Sequence, residues 1–315
     1  MLSAIICTYN RAKSLGVVLE DLSCQSVPPG FRWELIVVDN NSNDETRAVV
    51  EAYAKLAPMP VRYVFESRQG KSYALNLGID AAEFELLAFT DDDVRIGRDW
   101  VHTMATAFDK YDCDIVAGRI RAAWASPPPA WYVTDGPYTL MEVIVSFELG
   151  PVAHTTSRLP YGANMGLRKS RVLAVGGFRV DLGPRGNALT RCEDTELGAR
   201  LLEAGAKCQY VPDVIVDHPV EPHRATRSYV LRWYYYHGKT LVARVGIPAG
   251  ARRVFGIPLY MVRSVAQNCV RWFAAMDRRR RFFYKLQTYL ALGATVECYS
   301  AQHKIQALSA AKADT

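Results

Sequence analysis

Short apolar runs alternate with longer amphipathic segments through the first 120 residues, and this alternation constrains the fold more than any other feature. The apolar runs are typical of strands and lie at 2–6, 34–39, 61–65, 85–91 and 114–118. The segments between them have apolar residues at helical spacing and lie at 12–23, 44–56, 71–82 and 98–109. Strands that alternate with helices predict an α/β fold with a mostly parallel, Rossmann-type sheet flanked by helices.

Polar clusters follow four of the predicted strands, with the sequences CTYNR, DNNSND, ESRQGKS and TDDD. In parallel α/β sheets, ligands bind at the carboxyl ends of the strands. One polar strand end is ordinary turn chemistry, but four of them indicate a shared pocket.

Three consecutive aspartates, 91–93, end the fourth apolar run. They could form a solvated turn, or they could offer hard oxygen ligands to Mg²⁺ or Mn²⁺. Two other phosphate-binding motifs are incomplete or absent. QGKS at 69–72 lacks the first glycine of a P-loop, since Phe65 stands there, and no GxGxxG occurs. Any bound phosphates would therefore be held by a divalent cation and basic side chains.

The chain also carries a strongly basic segment near its carboxyl end. Residues 224–285 contain 14 lysines and arginines against a single acid, Asp277. Together with aromatic residues beside the arginines, this predicts a helical region, 223–315, on an anionic membrane surface. Arg263 and Arg271 interrupt the apolar stretch 254–276, which makes it a poor spanning helix. The alternative is an oligomer interface; nucleic acid is disfavoured because no recognition-domain signature accompanies the charge.

The remaining chain, 1–222, is predicted to be one catalytic domain with a nucleotide-binding half (1–120) and an acceptor half (121–222). Proline- and glycine-rich stretches predict a long loop over 121–160, and a helix is expected over 192–206. Seven scattered cysteines without CxxC spacing predict reduced thiols, and the opening residues do not look like a leader peptide. We therefore expect a cytoplasmic protein at the inner face of the cell membrane.

The ordered set CTYNR, VVDNNSND, ESRQGKSYALNLG, TDDD and CEDTEL closely resembles the family 2 glycosyltransferases, over roughly residues 1–220. These are enzymes of the GT-A fold that use nucleotide-diphosphate sugars, and the aspartates would form their D-x-D metal motif. The resemblance implies Asp93 as a metal ligand, Asp91 as the residue that shapes the turn beside the substrate, and Asp92 near the ribose. It also implies further substrate-binding residues, namely Thr8, Tyr9, Arg11, Asp39, Arg68, Lys71 and Asn164.

Each implied role has a structural alternative. Asp39 could bind the base or cap the helix that starts near Asp44. Arg68 and Lys71 could be solvated charges, and Asn76 and Gly78 are expected to be structural, with Gly78 allowing a close approach. Some GT-A enzymes complete their metal site with a late histidine, so His218 is either a second ligand or a structural residue, with His223 as the weaker candidate.

In the ED pair, Asp194 matches the family's general base, and Glu193 is the neighbouring candidate. The predicted function is inverting, metal-dependent transfer of a sugar to a hydroxyl acceptor, lipid-linked or polysaccharide, from a UDP-sugar rather than a GDP-sugar. A soluble acceptor with oligomerising helices is the first alternative. A nucleotidyltransferase is disfavoured because no glycine-rich, arginine-containing loop follows the first strand. A silent nucleotide-sugar binder is disfavoured because the aspartates and the ED pair are all present.

Overall fold

The computed structural model describes residues 1–185, 191–248 and 250–313, with side chains described through residue 300. The strands and helices of the first half are β1 Leu2–Thr8, α1 Ala12–Ser23, β2 Trp33–Asp39, α2 Thr46–Ala54, β3 Val61–Phe65, α3 Lys71–Ala81, β4 Leu86–Thr90, β5 Arg95–Ile96, α4 Trp100–Lys110 and β6 Ile115–Trp124. Those of the second half are β7 His154–Thr155, β8 Asn164–Arg168, α5 Lys169–Ala174, α6 Glu193–Glu203, β9 Cys208–Val220, α7 Arg227–Val245, β10 Arg253–Val254, β11 Ile257–Pro258, α8 Leu259–Ala274 and α9 Arg278–Ala313. Every helix and strand predicted before residue 110 is present, with ends shifted by at most two residues.

The central sheet has the strand order β3-β2-β1-β4-β8-β6-β9-β5, with β7 paired to β9. Strands β3, β2, β1 and β4 are parallel, and β9 is parallel to β6, whereas β8 lies antiparallel between β4 and β6. The predicted mostly parallel α/β sheet is confirmed. Since Thr8 pairs with Asp39 and Ile6 with Thr90, the carboxyl ends of β1, β2 and β4 meet at one edge.

Helix α3 lies directly on β1 and β2 because one of its residues has no side chain. A β carbon at Gly78 would lie 2.7 Å from Ile5 Cγ2 and 3.1 Å from Val38 Cγ2. Both branched side chains are fully buried in the core. The close approach expected at Gly78 is therefore confirmed, and it fixes the position of the residue that opens α3, Lys71.

The predicted loop over 121–160 is more ordered than expected. Strand β6 continues to Trp124 because it pairs with β9 along its whole length, up to Val220. Two short 3₁₀ turns, Gly136–Tyr138 and Met141–Ile144, and strand β7 follow within the same stretch. Sequence patterns missed these pieces because each is too short to show a period.

The chain divides into two compact units. The first contains Met1–Ala125, 144–185 and Glu193–Val220, and the second contains Ser126–Val143 and the chain from Glu221 onward. The sequence placed residues 126–143 with the first unit, and the structure places them with the second. Trp131 shows why, since its ring meets that of Phe282 edge to face at 5.4 Å between centroids.

Helices α7 and α9 form the centre of the second unit and touch at their backbones. A β carbon at Gly238 would lie 1.9 Å from the Leu290 carbonyl oxygen, and one at Gly293 would lie 1.9 Å from the Tyr235 carbonyl oxygen. In the part of the chain that the structure describes, no helix combines the length and the apolarity needed to cross a bilayer.

Candidate active site

Hydrogen bonds join the loop after β1 to the loop after β2, and they fix the backbone position of Arg11. Asn10 has a positive φ of 52°, a conformation that asparagine tolerates better than most residues. Its backbone N–H donates to Ser42 Oγ at 2.9 Å, and its side-chain oxygen accepts from the Asn43 N–H at 2.8 Å. Arg11 follows directly and extends toward the end of β4.

Asn40, directly after β2, holds the loop that precedes α3. Its side-chain oxygen accepts from the Gly70 N–H at 2.8 Å, and its amide nitrogen donates to the Arg68 carbonyl at 2.8 Å. Gly70 has a φ of 143°, which favours glycine at this position. These hydrogen bonds fix the backbone before α3, so Lys71 lies at the carboxyl ends of the strands.

Two cations balance the three aspartates that follow β4. Lys71 Nζ lies 2.6 Å from Asp91 Oδ1. Arg11 lies 3.2 Å from Asp92 Oδ1 and also bonds to Asp93. The carboxylates are thus held close together although they repel one another.

Asp91, Asp93 and His218 form a candidate metal site, because one ligand atom of each lies within 4.8 Å of the others. His218 is buried, and its Nε2 lies 3.7 Å from Asp93 Oδ1. Its Nδ1 is 3.2 Å from the Pro219 carbonyl oxygen, which orients the ring. The two carboxylates offer the hard oxygen ligands that Mn²⁺ and Mg²⁺ prefer, and the imidazole adds one nitrogen ligand, so the residues fit a divalent cation.

Asp91 is expected to shape the turn beside the substrate, and the structure places it in the candidate metal site. The sequence offers three equal carboxylates, and only the backbone direction after Thr90 decides which of them converge. The weaker candidate, His223, pairs instead with Glu221 at 3.2 Å and is not part of this cluster.

Glu193 and Asp194 begin helix α6, where acidic residues are favoured by the helix dipole. Asp194 Oδ2 accepts from the Gly162 N–H at 2.8 Å, and its Oδ1 accepts from the Thr195 N–H at 2.6 Å. Glu193 Oε1 lies 3.8 Å from Lys71 Nζ. Lys71 therefore stands between the ED pair and Asp91, and nothing in the sequence spacing showed this link.

Burial sets the protonation of these carboxyls. Burial, opposed by Arg11 and reinforced by Asp93, raises the pKa of Asp92 to about 7. Burial, reinforced by Asp194 and opposed by Lys71, raises the pKa of Glu193 to about 7. Burial also raises the pKa of Asp194, against the opposing hydrogen bond from Gly162.

Lys71 lowers the pKa of Asp91, the carboxylate with which it pairs. Burial by itself would raise the pKa of Asp91, but the charge and hydrogen bond of the Lys71 ammonium, helped by other cations nearby, hold that pKa below its usual value. Burial likewise opposes the charge on Lys71, yet Asp91 and Glu193 together raise the pKa of the lysine. The ion pair therefore remains charged at neutral pH.

A family model for glycosyl transferase family 2 matches residues 3–170, which is more than half of the chain. The chain belongs to glycosyl transferase family 2. Among curated relatives of this glycosyltransferase, the succinoglycan biosynthesis protein ExoM of Rhizobium meliloti (strain 1021) is 27% identical over 281 residues, 88% of this chain and 86% of ExoM. The glycosyltransferase AglE of Haloferax volcanii is 25% identical over 265 residues, 82% of this chain and 79% of AglE.

Solved structures share the fold of this glycosyltransferase. The mannosyltransferase PcManGT of Pyrobaculum calidifontis, in complex with GDP-Man and Mn²⁺, has a TM-score of 0.56 at 19% identity and covers 100% of this chain and 80% of its own. Residues 1–349 of S. aureus TarS, in complex with UDP, give 0.52 at 16% identity, with 96% of this chain and 91% of that chain covered. The predicted GT-A-like fold is confirmed.

Four predicted substrate-binding residues of the glycosyltransferase lie at the ends of β1, β2 and β3. Thr8 is buried, and Tyr9 is 38% exposed. Asp39 accepts from Tyr63 Oη at 2.7 Å and from the Ser42 N–H at 2.8 Å. It does not cap α2, since Asp44 accepts from the Thr46 N–H instead. Arg68 pairs with Glu66 at 2.7 Å, with its guanidinium 4.6 Å from the centre of the Tyr73 ring.

Asn164 does not lie where a substrate-binding residue is expected. The family resemblance implies that it binds substrate, but the structure buries it completely inside the sheet. Its side-chain oxygen accepts from Trp100 Nε1 at 2.8 Å. Its amide nitrogen donates to the carbonyls of Arg119 and Val214 at 2.8 and 2.9 Å. Both amide hydrogens are used within the protein, so Asn164 joins β8 to β6 and β9 and we do not assign it to the donor.

Proposed function

We propose that this chain is an inverting, metal-dependent glycosyltransferase that moves a sugar from a nucleotide-diphosphate sugar to a hydroxyl group. The observation that carries the proposal is the pairing of Lys71 with both Asp91 and Glu193, at 2.6 and 3.8 Å. This lysine joins the candidate metal site to a pair of acids whose pKa values burial raises. A diphosphate would bind on the side of Lys71 that carries the candidate metal site. The reacting hydroxyl would bind on the side that carries the acid pair.

Asp91, Asp93 and His218 would hold Mn²⁺ or Mg²⁺. When bound, such an ion neutralises the negative charge that develops on a diphosphate leaving group. Arg11 and Lys71 add positive charge at the same edge of the sheet. The complex of PcManGT with GDP-Man and Mn²⁺ supports a divalent cation of this kind.

Asp194 is the proposed general base. As the acceptor oxygen attacks the anomeric carbon, its proton passes to the Asp194 carboxylate, and the bond from that carbon to the diphosphate oxygen breaks. Attack from the side opposite the leaving group inverts the anomeric centre. Because burial raises the pKa of Asp194, the carboxylate is a stronger base than an exposed aspartate. The Gly162 and Thr195 N–H groups hold its orientation, and Glu193 is the second candidate.

For the donor we propose a UDP-sugar, supported by the UDP complex of TarS, with GDP as the alternative supported by PcManGT. For the acceptor we propose a lipid-linked or polysaccharide hydroxyl at the inner face of the cell membrane. ExoM is named for succinoglycan biosynthesis. A glucosyl-dolichyl phosphate glucuronosyltransferase of H. volcanii is 22% identical over 241 residues, 75% of this chain and 74% of that enzyme. A soluble acceptor remains the alternative.

The test uses slow donor hydrolysis, in which water replaces the acceptor. We expect Mn²⁺-dependent release of UDP from a UDP-sugar and, by NMR, a first-formed sugar whose anomeric configuration is inverted. Asp194→Asn should lower the rate by a factor of about 100 or more, because the variant cannot accept the proton. Donor binding with Mn²⁺, measured by thermal shift, should persist.

The matched control is Glu203→Gln, which removes an exposed acid from the same helix. That variant should hydrolyse the donor at the wild-type rate. Full activity of Asp194→Asn would remove this residue from the mechanism, and a product of retained configuration would exclude inversion.

A further inference from the structure

Helix α8 exposes an apolar face that we call the α8 ridge, formed by Val262, Ala266, Val270 and Phe273. These positions recur every three or four residues and therefore lie on one side of the helix. Val270 is 68% exposed and Phe273 is 75% exposed. Met276, just beyond the helix, is 91% exposed. Isolated apolar residues are common on surfaces, but a continuous ridge of them indicates a partner.

A basic row runs beside the α8 ridge. Arg263, Gln267 and Arg271 are each exposed and follow one another at four-residue spacing. The other side of the helix packs inward, where Met261 is buried with Val242 and Cys298. The α8 ridge is therefore not the face that holds the helix in the second unit.

The hairpin that precedes α8 exposes an aromatic residue at its tip. Phe255 and Gly256 connect β10 to β11 and have φ values of 49° and 80°. Turns of this kind favour asparagine, aspartate or glycine, and a phenylalanine with positive φ is unfavourable. Phe255 is nonetheless 92% exposed, so burial does not compensate for the conformation. Strained backbone conformations cluster at functional sites, so an exposed aromatic residue held in one is a candidate contact for a partner.

The charge of this region identifies the kind of partner. Residues 252–285 contain nine arginines and lysines and one acid, a net charge of +8. An apolar face beside a basic one is the pattern of elements that lie in the interface of a membrane with anionic lipids.

We propose that the hairpin tip and the α8 ridge dock onto the surface of an anionic phospholipid bilayer. Phe255, Phe273 and Met276 would enter the boundary between headgroups and acyl chains, while Arg263 and Arg271 contact lipid phosphates. The benefit of this docking rests on the proposed function, since it would bring the enzyme to a membrane-linked acceptor. The docking itself does not require catalysis.

A second copy of the chain fits this surface less well. A two-fold interface would place the same patch against itself, so the excess of positive charge would repel itself. Nucleic acid would satisfy the arginines, but the α8 ridge would gain little from a phosphate backbone.

The experiment is co-sedimentation of the full chain with vesicles, either phosphatidylcholine alone or an equal mixture with phosphatidylglycerol. The wild type should bind the mixed vesicles. Phe255→Asn combined with Phe273→Ser should weaken binding by about tenfold for each aromatic removed. Asn suits the positive φ of the turn, so this hairpin change should not disturb folding. The control, Leu56→Asn, removes an 88% exposed leucine from the first unit and should leave binding unchanged.

Arg263→Gln with Arg271→Gln should weaken binding to the mixed vesicles by about fivefold for each arginine. The charge-matched control is Arg47→Gln with Arg98→Gln, since both arginines are exposed in the first unit. Wild-type binding by the double aromatic variant, or equal binding to both kinds of vesicle, would overturn the proposal. So would a wild-type dimer that the aromatic changes dissociate in sedimentation velocity, or binding to an oligonucleotide in place of vesicles.

The two proposals can fail separately. Asp194→Asn should bind vesicles as the wild type does, and the double aromatic variant should retain donor hydrolysis in solution. Loss of vesicle binding by an enzyme that still hydrolyses its donor therefore tests the docking surface alone.

Discussion

At the scale of single residues, Lys71 links the two groups of carboxylates in the candidate site. It pairs with Asp91 on one side and approaches Glu193 on the other. The family resemblance implies a substrate-binding role for this lysine, and its position after a predicted strand favours that role over a solvated charge. Its partners could not be predicted, since they lie 20 and 122 positions away and meet only through the sheet.

Removal of the imidazole from the metal cluster should weaken cation binding. His218→Gln should lower Mn²⁺ affinity by at least about tenfold, because one of three converging donors is lost. The free Mn²⁺ signal in electron paramagnetic resonance measures this directly, without substrate. His223→Gln is the matched control, and unchanged affinity in His218→Gln would reject the histidine as a ligand.

Glu193 gives a pH dependence whose sign can be worked out. Its pKa is raised from an ordinary value of 4.5 to about 7, so the folded state binds the proton more tightly than the unfolded chain. The resulting stabilisation is fully present below pH 4.5 and is lost as the pH rises through about 7.

In metal-free buffer, Glu193→Gln should therefore unfold near the wild-type temperature at low pH and at a higher temperature above pH 8. The difference should be about 3 kcal/mol. Thermal unfolding at several pH values checks this, with Glu203→Gln as the control. A difference that stays constant with pH would show that Glu193 does not titrate as described.

At the scale of secondary-structure elements, the early helices and strands follow from sequence periodicity alone. Each of these strands is an apolar run long enough to recognise, and α1 to α4 have apolar residues at regular spacing. The later elements depend on pairing instead. Strand β6 extends to Trp124 because it pairs with β9. No sequence pattern within residues 119–124 predicts this pairing.

The packing of α3 can be tested with a pair of glycines. Gly78→Ala should destabilise the protein by about 1–3 kcal/mol, because its β carbon would collide with Ile5 and Val38 in a packed core. Gly16→Ala should stabilise it by about 0.5–1 kcal/mol, because α1 has open space there and alanine favours a helix. Denaturant unfolding measures both, and equal effects of the two changes would contradict the close approach.

At the scale of the whole molecule, the family and the fold could be predicted because five motifs occur in a fixed order. Asp93, His218 and Asp194 all lie in the first unit, which is consistent with the predicted catalytic domain over 1–222. The placement of Asn164 could not be predicted, since an amide in a motif can serve a ligand or a buried tryptophan equally well. The positive charge of the second unit can be read from the sequence. That residues 126–143 belong to this unit could not be predicted, because they are held there by aromatic contacts between residues far apart in the chain.

We propose that Asp91, Asp93 and His218 bind the cation that a nucleotide-diphosphate sugar requires. Calorimetric titration of UDP and GDP into the protein, with Mn²⁺ or with a chelator, tests it most directly. Wild-type protein should bind one of these nucleotides when Mn²⁺ is present, with affinity reduced at least about tenfold in chelator or in Asp93→Asn. Equal affinity in the presence of chelator, or wild-type binding by Asp93→Asn, would contradict the claim.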